Sequence, residues 1–204
     1  MGINKNIVRV LFISFVFLIT ACSSDDDNPN DDDNGGVVGA DHTYDIELVG
    51  DSETINVSGS ISNPVQDNEE NNYGVVSVYA INPEAGEDSI MISMSIGTGN
   101  ALQSIFGVFM LDENRQALYP FANPDDYDDN ETGLAIRPEG SNTIYESISG
   151  TLNFSNVELA STSAVSGVAS FTLNFSGVFI DDEENTFQGS GTIVINPLLG
   201  LTYN

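Results

Sequence analysis

Gly167-Val168-Ala169-Ser170-Phe171-Thr172-Leu173-Asn174-Phe175-Ser176-Gly177-Val178-Phe179-Ile180 sets Ala169, Phe171, Leu173 and Phe175 at every second position, with Ser170, Thr172, Asn174 and Ser176 between them. A period of two sends the apolar set to one face of an extended chain and the polar set to the other, so the stretch reads as a half-buried strand. No part of the chain sustains the spacing of an amphipathic helix. Thr172 to Val178 also repeats, almost unchanged, Thr151-Leu152-Asn153-Phe154-Ser155-Asn156-Val157. A repeat architecture needs about three units or more. The pair therefore reads as two neighbouring strands with the same inward pattern.

Working outward, Asp181-Asp182-Glu183-Glu184-Asn185 is an acidic hairpin tip, and Phe187 to Ile195 returns as the last strand. Upstream, Thr143 to Leu159 alternates, with Ile148, Gly150, Leu152 and Phe154 on one side. Leu134 and Ile136 suggest a short edge strand before Pro138-Glu139-Gly140, and Asp112 to Gly133 is the least regular part. Ser104 to Leu111 and Tyr73 to Ile81 are apolar on both faces and read as central strands. Between them, Ile90, Ile92, Met94 and Ile96 alternate with Met91, Ser93 and Ser95, and a helical turn is expected at Asn100 to Gln103. Near the start, Tyr44, Ile46 and Leu48 alternate with polar residues. Gly50-Asp51-Ser52 turns the chain, and Ile55, Val57, Gly59 and Ile61 complete a hairpin. About nine strands separated by turns predict an all-β fold, an antiparallel β-sandwich. A β-barrel is the alternative; the sandwich is favoured because nothing in the sequence fixes a barrel's shear.

The N-terminal region carries a different message. Lys5 and Arg9 precede Val10 to Ile19, an apolar run broken only by Ser14. A transmembrane helix needs about 20 apolar residues, whereas a secretory signal needs a shorter run. Ile19-Thr20-Ala21-Cys22 resembles the bacterial lipobox. The resemblance implies that Cys22 is acylated through its sulfur and its amine, and that residues 1–21 are removed as a signal peptide. Each buried methylene contributes about 0.8 kcal/mol, and stable anchoring takes more than one chain, which a triacylated cysteine supplies. Ser24-Asp25-Asp26-Asp27 is similar to the acid-rich export signal of Bacteroidota lipoproteins. It implies an outer-membrane protein, lipid-anchored and facing the cell exterior, whose first partner is the membrane that holds the anchor. Residues 22–40, acidic and low in complexity, read as the lipidated cysteine and a disordered tether. Residues 41–204 read as a single all-β domain.

Composition narrows the partners. After removal of residues 1–21, Arg115 and Arg137 are the only permanent cations against 31 acidic residues, a formal charge of −29. Phosphate binding needs clustered Lys and Arg, so no nucleic acid is expected as a partner. Cys22 is the single cysteine, and no disulfide can staple the domain.

Four features bear on chemistry. His42 is the only histidine and sits where the tether meets the first strand. It reads as a solvated linker residue, because Ser–His or Cys–His catalysis lacks a nucleophile elbow and zinc lacks further ligands. The acidic residues collect in turns, and those within strands, Glu47, Glu146 and Glu158, fall on outward positions. A catalytic acid is usually raised in pKa by apolar burial, so no enzyme is expected. A carboxylate-dependent hydrolase such as a glycosidase is the alternative. Asp125, Asp126, Asp128, Asp129 and Glu131, with Asn130, offer oxygens for Ca2+, which takes about 6–8 in flexible geometry. The run lacks the alternating spacing of an EF-hand loop. Tyr119, Phe121 and Tyr127 could present flat faces to a glycan; alternatively, Tyr119 and Phe121 plug the core. The expected role is a cell-surface, non-catalytic binding or structural β domain for a glycan or protein ligand.

Overall fold

The two repeated heptapeptides pair with one another. Leu152 lies opposite Phe175, Asn153 opposite Asn174 and Phe154 opposite Leu173, so both copies point the same side chains inward from adjacent strands. The computed structural model describes residues 39–63, 74–82, 87–97, 99–121, 132–163 and 166–198. The paired copies lie in β7 (Tyr145–Ser161) and β8 (Ser166–Ile180). Before them come β1 (His42–Val49), β2 (Thr54–Ile61), β3 (Gly74–Asn82), β4 (Glu87–Ile96), β5 (Gln103–Leu111) and β6 (Gly133–Arg137), and after them β9 (Thr186–Ile195). The helical turn expected near Asn100 is a 3-10 turn, Gly99–Ala101.

All nine strands join one antiparallel sheet in the order β2-β1-β9-β8-β3-β4-β5-β6-β7, and β7 also pairs with β8. The long hairpin β7–β8 makes this continuity. One edge of β8 follows β7, while its other edge changes partner along its length. Ser166, Gly167 and Val168 pair with β3, and Phe171 to Ile180 pair with β9. Opposite that change, the β7 register breaks between Ser155 and Glu158. Asn156 there has φ 54°, a left-handed conformation that asparagine tolerates better than most residues. Extra residues in one strand bend it and raise its twist, which lets a strand pass from one layer to another.

The pairing circuit from β3 through β4, β5, β6 and β7 to β8 is closed, but two of its ladders are short. β6–β7 holds only Ala135–Glu146 and Ile136–Tyr145, and β3–β8 holds three pairs. Short ladders at bends mark the corners of a sandwich rather than the even wall of a barrel. The fold is all-β and sandwich-like, made by one sheet folded over its own core.

That core takes Tyr44, Ile46 and Leu48 from β1, Ile90, Ile92 and Met94 from β4, and Phe171, Leu173, Phe175 and Phe179 from β8. Phe154 stands edge-on to Phe109 and to Phe171, each at 5.3 Å between centroids. Such geometry aligns ring edges with ring faces and adds to the area term.

Two expectations are corrected. Ile148 does not face the core: a register break between Ser147 and Ser149 shifts the parity, so Tyr145 and Ser147 are buried instead. β6 is no edge strand, since it pairs with both β5 and β7. β5 is a central strand, as expected, between β4 and β6; one face is buried through Ile105, Phe109 and Leu111, and the other is half-buried.

Candidate functional site

The segment that follows β5 begins as a built turn. The Asp112 carboxylate accepts the N–H groups of Asn114 and Gln116, both at 2.9 Å. Arg115 takes φ 61° at the apex, and its Nη1 donates to the Val157 carbonyl at 2.8 Å, beside the β7 irregularity. Ala117 then bridges back to Leu111, and the Leu118 N–H donates to the Met110 carbonyl.

Of the two readings of Phe121, ligand platform and core plug, the structure gives the core plug. It stands edge-on to Phe175 and Phe179, with centroids 6.0 and 5.9 Å away. Gly150 and Gly177 face one another across β7 and β8 and make room for the ring. A Cβ on either would come within 3.1 or 3.2 Å of Phe121 Cδ2. With both ring faces and edges enclosed, Phe121 plugs the core and presents no flat face to a ligand. Tyr119 is half-buried. Tyr127, the acidic run Asp125, Asp126, Asp128, Asp129 and Glu131, and the anchor Cys22 lie outside the described residues.

His42 overturns the expectation of a solvated linker residue. It opens β1 and is 0% exposed. Its Nδ1 accepts the Asn196 N–H at 3.1 Å, so the neutral ring carries its proton on Nε2, a buried atom with no partner. Burial lowers its pKa, and the nearby Asp41 carboxylate opposes the shift. Around it, Asn196 Nδ2 donates to the Asp41 carbonyl at 2.6 Å, and Asn63 Nδ2 donates to the Pro197 carbonyl at 2.8 Å. The start of β1, the end of β2 and the exit of β9 thus meet in one partly buried clasp, with His42 and Asn63 on its inner side. A signal for this was present: His42 continues the inward period of Tyr44, Ile46 and Leu48.

A shallow crevice lined by Tyr44, Met94, Ile96, Gln103, Ser104 and Ile105 leaves no room for a bound water. Tyr44 and Gln103 are bonded within it. Burial pushes the Tyr44 phenol up to about 12, against the hydrogen bond from Gln103, and the charge of Glu139 adds to the rise. Of the acids expected on outward positions, Glu47 and Glu158 are exposed and Glu146 is half-buried. At the β8–β9 tip, Asp181 Oδ1 accepts the N–H groups of Glu183 and Asn185 at 2.9 Å. Slight burial opposes the change, but these bonds and that from the Asn185 side chain hold the Asp181 carboxyl below its ordinary range. Among the described residues, no three His, Cys, Asp or Glu side chains converge to hold a metal ion.

No protein family, no curated protein and no solved structure matches the chain.

Proposed function

We propose that this protein is a lipid-anchored cell-surface protein whose β domain serves as a non-catalytic binding or structural module. The observation that carries the reading is Ile19-Thr20-Ala21-Cys22 followed at once by Ser24-Asp25-Asp26-Asp27. An apolar run too short to span a membrane, a cysteine at its end and an acidic stretch beyond it fit an acylated, exported chain. The module reading is supported by the placement of acids. Glu47 and Glu158 are exposed to solvent, away from the apolar burial that a catalytic acid needs. The crevice beside Tyr44 is too small for a substrate.

Mass spectrometry of the mature N-terminus tests the anchor. Acyl chains on Cys22 are expected, and Cys22→Ser should release the protein from the membrane fraction. A chain that stays membrane-bound as Cys22→Ser, or begins at another residue, sinks the reading. Protease treatment of intact cells tests the side: degradation of the domain is expected without lysis.

A further inference from the structure

The sheet treats its two margins differently. β7, beyond the two rungs it shares with β6, is broken in register twice. Arg115 occupies its Val157 carbonyl, and its Ser147 hydroxyl takes the Leu134 N–H at 2.9 Å. Bulges and side-chain caps of this kind prevent a free edge from templating another strand. β2 has neither. Thr54-Ile55-Asn56-Val57-Ser58-Gly59-Ser60-Ile61 keeps an unbroken ladder with β1 and holds no charged residue and no proline. Among the described residues it is paired on one side alone. In a chain with 31 acidic residues, a neutral, flat margin eight residues long is the place where another strand meets least repulsion.

We propose that the outer edge of β2 is a self-association surface that pairs antiparallel with β2 of a second copy. A two-fold axis at Ser58 sets Ile55 against Ile61 and Val57 against Gly59 on the inward face. On the outward face it sets Asn56 against Ser60 and Ser58 against its own counterpart. Every rung then matches in polarity, as strand register requires. The nearest carboxylates are Asp41, which accepts the Ser60 hydroxyl of β2 at 2.9 Å and would face the neutral Asn56 of the second copy, and Asp45 and Glu47 of β1, both exposed. Each β1 lies three strand spacings, about 14 Å, from its counterpart, beyond the screening length of about 8 Å at physiological salt. Repulsion therefore weakens the contact at low salt and leaves it intact at physiological salt. The inference stands on the edge alone and does not depend on the lipid anchor.

Thiol cross-linking in the full-length protein on intact cells tests it. Ser58→Cys should form a disulfide-linked dimer under mild oxidation, because residue 58 is the one that meets itself. Ser190→Cys is also exposed but lies inside the sheet between β1 and β8, and it should cross-link no more than the parent chain with Cys22 alone. Yield from Ser58→Cys should exceed that control several-fold, rise with salt, and fall toward the control level at low salt when Asn56→Glu is added, because residue 56 faces Ser60 and the Asp41 carboxylate bonded to it. Equal yields from Ser58→Cys and Ser190→Cys overturn the proposal. So does indifference to Asn56→Glu at low salt, or a cross-linked band whose mass includes a different protein.

Discussion

Gln103 Nε2 donates to the Tyr44 hydroxyl at 2.7 Å, joining β1 to β5, two strands that share no ladder. Gly59 faces Tyr44 across the β1–β2 ladder, and a Cβ there would overlap the phenol oxygen. The missing side chain on β2 thus allows the phenol of β1 to lie where β5 can reach it. Both partners are at most 9% exposed, so the bond replaces water that neither group can recover.

Tyr44→Phe should destabilise the domain by about 1–3 kcal/mol, because the Gln103 amide keeps its buried donor and loses its acceptor. Adding Gln103→Leu should recover part of that loss by removing the orphan. Urea midpoints of the two single variants and the double variant measure the coupling. Strict additivity would show that the bond contributes nothing.

The same phenol makes the domain sensitive to alkali. Its pKa is 10.0 when free and about 12 in the fold. Above 10.0 the unfolded chain loses the proton first, so stability is complete below that pH and declines as pH rises toward the folded value. Tyr44→Phe should flatten this part of the stability curve, as read by thermal unfolding across alkaline pH.

His42 should act at the other end of the scale. Its folded pKa lies below 6.5, so the unfolded state takes up a proton before the native state does. Stability is complete above 6.5 and falls as pH drops toward the folded value, by at most about 1.4 kcal/mol per pH unit. Protonation sets an Nδ1–H against the Asn196 N–H and breaks the clasp. Asp41, on the approach to β1, is the charged group acting on the ring, while β2 and β9 present Asn63 and Asn196. His42→Leu should be less stable at neutral pH yet nearly flat between pH 6.5 and about 5, above most carboxylate titration. Parallel wild-type and variant curves would exclude this origin.

Phe121 and its glycine pair should respond in opposite ways to size. Phe121→Ala opens a cavity against Phe175 and Phe179 and should cost about 3–5 kcal/mol. Gly177→Ala instead overfills the site, since its Cβ overlaps the Ser149 carbonyl and crowds Phe121, at a cost of about 1–3 kcal/mol. Combining the two should still lose stability, because the backbone overlap remains when the ring is gone. Denaturant midpoints of the three variants decide it.

Much of the fold was legible in the residues because alternation is local. The period of Ala169, Phe171, Leu173 and Phe175 names its own buried face, and the TLNFS repeat names a strand and its neighbour. Ile148 was misread because a bulge inserts a residue without changing the composition around it. The core position of Phe121 was one of two readings its aromatic run offered, and the glycine pair on other strands decides between them; Arg115 was illegible because a carbonyl on β7 captures it.

The sequence by itself determined the all-β class, the strand count and the acidic character, since each follows from spacing or composition within a few residues. Tertiary structure alone decided that one sheet makes both layers, that β8 changes partner at the β7 bulge, and that His42 is sealed in a clasp. Those outcomes depend on contacts between residues such as His42 and Asn196, 154 positions apart. No local pattern carries the free energy of a contact that exists only once the distant strand has arrived.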